Sequence, residues 1–308
     1  MTLAPYKNSK LRLFYRQLPK HLMVWATISL LLVFSYGPMY GVIIAFKDYR
    51  FSLGIWGSEW VGMAHFQRLF ENPLVWRALR NTVTLSLLGT AFLFPAPILL
   101  ALMFNELKDG LFKRAVQSIS YLPNFVAMMV VVSLVTTFLR PSGLINNILI
   151  SLGVFDRPFN FLAATGPFYP IVLSTELWKG VGWGTIIYLA AISAVDQEMI
   201  EASIIDGAKR LQQIRYIILP SISETIVILL ILNISNILSS NFDLVFLLQN
   251  ALNMSVSDTL DTFVFRMGII QGAYSFTTAV GLLRSVVGFA LLVLCNKVSR
   301  ALTGKGIM

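Results

Sequence analysis

EASIIDGAKRLQQIRYIILP, Glu201 to Pro220, is a patterned polar stretch set between two long apolar flanks. Acidic residues lead it (Asp196, Glu198, Glu201, Asp206), Gly207 interrupts it, and basic residues follow (Lys209, Arg210, Arg215). This order reads as helix, break, helix. Asp196 can cap a first turn, carboxylates complement the positive end of a helix, and glycine tolerates a sharp change of direction. Pro220 then opens the next helix at a tolerated position. A bent polar element of this kind is either a solvated connector or a surface that docks a soluble protein, and its surroundings decide which.

Those surroundings are a membrane. Of 308 residues 56% are hydrophobic and 13% charged, and mean hydropathy is +0.73, far to the apolar side of a soluble domain. A bilayer core needs roughly 20 apolar residues per helix. Leu22–Phe46, Asn81–Asn105 and Ala115–Leu139 contain no charge at all. Phe168–Ser193 is interrupted only by Glu176 and Lys179, Thr225–Phe242 is uncharged, and Met267–Asn296 is interrupted only by Arg284. Six transmembrane helices are therefore expected in an all-α polytopic protein. The first exceeds the core length of a cleaved signal peptide and lacks a small-x-small site, so it is read as an anchor. The lone Cys295 excludes an intramolecular disulfide and a thiolate metal cluster. His21 and His65 have no metal or nucleophile partner in the pattern.

Lys and Arg set the orientation. With both ends inside, the cytoplasmic segments carry Lys7, Lys10, Arg12, Arg16 and Lys20, then Lys108, Lys113 and Arg114, then Lys209, Arg210 and Arg215, then Lys297, Arg300 and Lys305. The external loops carry five, two and one. The positive-inside rule favours this arrangement, and it accounts for the net charge of +9 without nucleic acid. The chain divides into a cytoplasmic tail at 1–21, a membrane domain at 22–296 with a cytoplasmic loop at 196–220, and a cytoplasmic tail at 297–308.

The spacing E-A-(A)-x3-G-x9-I-x-L-P is met by Glu201, Ala202, Gly207, Ile217, Leu219 and Pro220, with Ser203 where a second alanine is usual. It resembles the EAA loop of permease subunits in bacterial binding-protein-dependent ABC importers. FSYGPMYGVIIAFKDY (Phe34–Tyr49), FPAPILLALMFNEL (Phe94–Leu107), ELWKGVGWGTIIYLAAI (Glu176–Ile192) and YSFTTAVGLLRSVVGF (Tyr274–Phe289) are similar to the carbohydrate-uptake permeases, within them the branch importing oligosaccharides and polysaccharide fragments. The resemblance implies a type I ABC importer permease fold in the bacterial cytoplasmic membrane. It makes the loop a coupling helix that fits a cleft in an ATPase, with Glu201, Ala202, Ser203, Asp206, Gly207, Ile217, Leu219 and Pro220 as coupling residues. The partners implied are a second, related permease, two ATPase subunits and an extracytoplasmic sugar-binding protein. No G-x-x-x-x-G-K-[ST] occurs in the sequence, so ATP and Mg fall to the ATPase and this chain is no enzyme.

Charges inside spans are costly and default to a cavity or a partner. Glu176 and Lys179 are three apart and can share a helix face; with Trp178 and Trp183 they form either a sugar-stacking pathway wall or an internal ion pair. Asn233, Asn236, Ser239, Ser240, Asn241 and Asp243 make the outer half of the fifth span polar, which suits hydroxyl-rich cargo and equally suits helix association. Arg284 can meet a uronate or pair with Glu176 or a partner's carboxylate. Gly37 and Pro38, with Pro95 and Pro97, mark kinks, and Gly180, Gly182 and Gly184 allow close packing.

A secondary transporter would call for inverted repeats and midplane carboxylates, and an intramembrane enzyme for a positioned base and nucleophile. Neither accounts for the Glu201–Pro220 stretch. In a background lacking Cys295, single cysteines at Ser58 and Ser142 should react with an impermeant thiol reagent applied outside, and one at Gln212 should not. External labelling of Gln212 would overturn the orientation.

Overall fold

The computed structural model describes residues 9–303; Lys7 and Lys305, counted in the basic tails, lie outside the described residues. Helix α1 (Ser9–Leu31) widens into a π-type turn at Leu32–Tyr36 and tightens to a 3-10 stretch at Tyr40–Phe46. The wide turn comes just before Pro38, whose missing N–H leaves the ladder one bond short. A hairpin follows, with β1 (Lys47–Asp48) antiparallel to β2 (Glu59–Trp60), then α2 (Ala64–Glu71) and α3 (Pro73–Phe92). Asn72 caps α3 by accepting the Leu74 N–H at 2.9 Å, and Pro73 takes the first helical position. Pro95 restarts the chain as α4 (Pro95–Asn105).

After α4 come α5 (Leu111–Tyr121), α6 (Met128–Leu139), α7 (Phe168–Ser193), α8 (Gln197–Ile205), α9 (Ser223–Ser235), α10 (Phe242–Leu248) and α11 (Tyr274–Thr303). Among the described residues four helices are long and apolar enough to cross a membrane: Lys20–Phe46, Pro73–Asn105, Met128–Ser151 and Tyr274–Ala301. Arg210–Ser221 and Ser223–Ser235, bent by 63°, make a fifth if counted as one span. Helix α7 has the length, 26 residues, but Glu176, Lys179 and its glycines lower its apolarity. The third span sits later than the uncharged run Ala115–Leu139, because Pro123 breaks that run into α5 and α6. The fifth ends earlier than Thr225–Phe242: the chain unwinds after Ser235 and resumes as α10 at Phe242.

Helix α7 is the central packing element, lying along α4 and α5. A Cβ on Gly182 would stand 1.9 Å from the Ser120 carbonyl oxygen, and one on Gly184 would stand 2.9 Å from Pro97 Cγ. Only hydrogen fits there, so two of the three glycines set the helix spacing. Among the described residues nothing lies within 4 Å of a Cβ built on Gly180. The core divides into three apolar clusters. One joins Leu69, Phe263 and Phe276 across α2 and α11. A second joins Leu85, Val172 and Leu244 across α3, α7 and α10. The third, Ile98, Tyr188, Ile218 and Ile222, packs the 196–220 loop onto α4 and α7.

Ser58 is buried, its hydroxyl donating to the Gly54 carbonyl at 2.6 Å. The external label therefore belongs on Ser52, which is exposed, as Ser142 and Gln212 are. Replacing Gly182 by Ala should separate α5 from α7 and destabilise the protein by about 1–3 kcal/mol, the usual range for overpacking. Gly180→Ala should melt with the wild type or slightly above it. Equal melting temperatures for Gly182→Ala and wild type in detergent would contradict the close approach.

Candidate coupling loop and substrate pathway

Helix α8 begins as its sequence dictates, with Asp196 accepting the Glu198 N–H at 2.9 Å. It ends in a left-handed turn at Gly207, φ +78°. The Gly207 N–H bonds the Ile204 carbonyl at 3.0 Å and the Ala208 N–H bonds that of Ser203 at 2.9 Å, the paired closure that a C-terminal glycine permits. Ser203, buried, donates to the Ile200 carbonyl at 2.6 Å and accepts the Gln213 amide at 3.2 Å. The hydroxyl that departs from the usual alanine thus joins the two arms of the bend. Arg210 fastens the outer arm to Glu106, beyond α4, at 2.6 Å.

The loop has two faces. Ile217, Ile218, Leu219 and Ile222 pack into the cluster with Ile98 and Tyr188. On the other side Met199, Ile204, Ile205 and Leu211 are exposed, Ile205 by 87%. Glu201, Ala202, Asp206 and Pro220 are also on the surface. Bare apolar side chains at a polar bend, with their anchors buried behind them, make a surface fit for a protein partner.

Higher in the chain, Glu176, Asn233, Asn236 and Asn241 line one recess of about 550 Å³ between α3, α7 and α9. Thr90 donates to Asn233 Oδ1 at 2.7 Å, and Asn241 lines the same recess as Glu176. A second recess of about 650 Å³, between α9 and α11, shares Asn236 and Ser239 with the first and is lined by Arg284 and Thr278. A third of about 380 Å³ shares Glu176 and Asn241 and reaches Lys179 and Asn124. Shared walls make the three recesses neighbours rich in amides and hydroxyls, and together they are the candidate groove.

The ion pair weighed for Glu176 and Lys179 does not form. Lys179 Nζ donates to the carbonyls of Pro123, Asn124 and Val126 at 3.3, 2.6 and 2.8 Å, which uses the three protons of an ammonium. Lys179 therefore closes the helix break at Pro123. The tryptophans are elsewhere. Trp178 lies in a separate recess against Val131 and Phe138, and Trp183 packs edge-on against Phe125 with ring centroids 5.6 Å apart. Asp243 is exposed in the first turn of α10. Arg284 pairs with Asp261 rather than with Glu176. Asp261 escaped sequence reasoning, although a lone arginine within a span does call for a carboxylate; only the fold selects which one.

The binding-protein-dependent transport system inner membrane component family matches residues 94–302. Protein LplB of Bacillus subtilis is 46% identical over 90% of this chain and 86% of its own length. The polygalacturonan/rhamnogalacturonan transport system permease protein YteP, also of Bacillus subtilis, is 44% identical over 93% of this chain and 89% of its own. A chain of the bacterial alginate ABC transporter, solved in complex with an alginate pentasaccharide-bound periplasmic protein, superposes with a TM-score of 0.87 at 38% identity, covering 96% of this chain and 99% of that one. The fold is the type I ABC importer permease fold, and the chain belongs to the binding-protein-dependent transport system inner membrane component family.

Proposed function

We propose that this permease forms one half of the membrane pathway of an ATP-driven importer of oligosaccharides, fragments of larger polysaccharides among them, with both termini on the cytoplasmic side. The observation that carries the reading is the two-sided loop at 196–220: exposed Met199, Ile204, Ile205 and Leu211 await a partner, while Ile218 and Ile222 are fixed in the membrane core. The partner is a separate ATPase, two copies of which bind ATP with Mg and hydrolyse it. A second, related permease completes the pathway, and an extracytoplasmic binding protein delivers the cargo. Likeness to YteP and to the alginate transporter supports the sugar. So does a groove of amides and hydroxyls, which exchange hydrogen bonds with hydroxyl-rich cargo without demanding charge.

The test is reconstitution of both permeases, the ATPase and the binding protein in proteoliposomes. Galacturonate, rhamnogalacturonan, alginate and neutral xylan oligomers would be offered in turn. At least one should be taken up and should stimulate ATP hydrolysis through the binding protein; silence with all of them would end the oligosaccharide reading.

Gly207 tests the coupling. A side chain there forces an L-residue into left-handed backbone, a strain of about 1–2 kcal/mol, and Gly207→Asp also sets a charge beside Asp206 at the docking face. Among the described residues nothing lies within 4 Å of a built Cβ, so the loss should fall on the partner. Gly207→Asp should insert and pair with its permease yet co-purify little ATPase and transport nothing, and Gly207→Ala should be milder. Normal ATPase retention with normal uptake would make the loop a mere connector.

Glu176 and Lys179 should now separate. Glu176→Gln should lower uptake about tenfold or more, as loss of a charged hydrogen bond to cargo does, with assembly intact. Lys179→Ala should reduce the yield of assembled complex, because it strips three carbonyls of their donor. Unchanged uptake in Glu176→Gln would remove Glu176 from the pathway.

A further inference from the structure

The chain runs unwound from Asn236 to Asn241, between α9 and α10. Within a bilayer the backbone groups freed by such a break must be met inside the protein. Asp261 meets them from 21 residues away: its Oδ2 accepts the Ser240 N–H at 2.8 Å and the Ser240 hydroxyl at 2.9 Å. Its Oδ1 accepts Arg284 Nη1. Arg284 Nη2 in turn donates to Ser239 Oγ at 2.6 Å, and Ser86 of α3 donates to the Ser239 carbonyl at 3.2 Å. Two consecutive residues are thus held from three sides. Ser239 lines both of the larger recesses, so the tethered turn is the partition between them.

We propose that Arg284 and Asp261 are a positioning pair for cargo. They fix the unwound turn so that Asn236, Ser239, Ser240 and Asn241 present one set of donors and acceptors to an oligosaccharide crossing the partition. Their own charges cancel: the side chains are 30% and 16% exposed and are joined to each other. The pair therefore offers no free cation, and it sorts cargo by hydroxyl pattern and shape rather than by acidity. The inference rests on reading the groove as the sugar pathway.

Three variants in the reconstituted importer test it, with galacturonate, alginate and neutral xylan oligomers as probes. Removing one partner leaves an unpaired charge away from water, so Arg284→Met and Asp261→Ala alone should harm assembly. The double variant Arg284→Met/Asp261→Asn, in which the amide oxygen can still accept the Ser240 N–H, should assemble as the wild type does and keep its maximal binding-protein-stimulated ATP hydrolysis. Its half-saturating concentration for uptake should nonetheless rise about tenfold or more, since charged hydrogen bonds no longer hold the turn. Arg284→Lys should retain most of the wild-type affinity. Restoration of uptake together with assembly in the double variant would make the pair purely structural and overturn the proposal. Tighter uptake of galacturonate by Asp261→Ala would overturn it too, by showing Arg284 to be an anion site. If Asn236→Ala and Asn241→Ala leave uptake of every probe unchanged, the pathway reading itself falls and takes the inference with it.

Discussion

A backbone that breaks inside an apolar layer has no water to satisfy it, and every freed N–H and carbonyl must find a partner within the protein. Two breaks in this chain are met by charged side chains. Lys179 closes the one at Pro123 by donating to the carbonyls of Pro123, Asn124 and Val126. Asp261 and Arg284 close the one at Asn236–Asn241. Both breaks border the groove, so the charges that hold the helices together also shape its wall. This resolves a tension in the composition: of the few charges within the apolar segments, Lys179 and Arg284 have polar partners, and Glu176 lines a recess beside Asn233 and Asn241.

The 196–220 loop is the most legible part of the sequence because its structure is set locally. An aspartate cap, a glycine that alone accepts a left-handed turn and a proline at a helix start each act within a few residues. The span count was less legible. Apolar runs report where charges are missing, not where a proline interrupts the ladder, so the third span was placed across the break at Pro123. The second half of the fifth was drawn as helix although Asn236, Ser239, Ser240 and Asn241 compete for backbone hydrogen bonds and favour unwinding.

Pathway residues were legible one helix at a time and obscure between helices. Trp178 is two residues from Glu176, roughly 200° around a helix, so spacing alone turns it away from Glu176, and the fold sets it against Val131 and Phe138. Trp183, seven residues on, returns to within about 20° of the Glu176 direction, yet Phe125 occupies the space it faces. Nothing on α7 announces Phe125. The same holds for Arg284, whose carboxylate lies 23 residues away in the short helix Leu260–Val264 that no periodicity identifies.

The close contact of Gly184 with Pro97 has a mechanical consequence. Both residues line the Glu176 recess, and the helices that carry them, α4 and α7, also hold Ile98 and Tyr188 against Ile218 and Ile222 of the loop. Close-packed interiors resist compression, so a push on the loop cannot be absorbed between these parts. On the α4 and α7 side the molecule is a short stiff lever from the 196–220 bend to the recess wall. On the α9 side the 63° bend supplies a joint. The two walls of the groove are therefore joined to the loop differently, the α7 wall through close packing and the α9 wall through a bend.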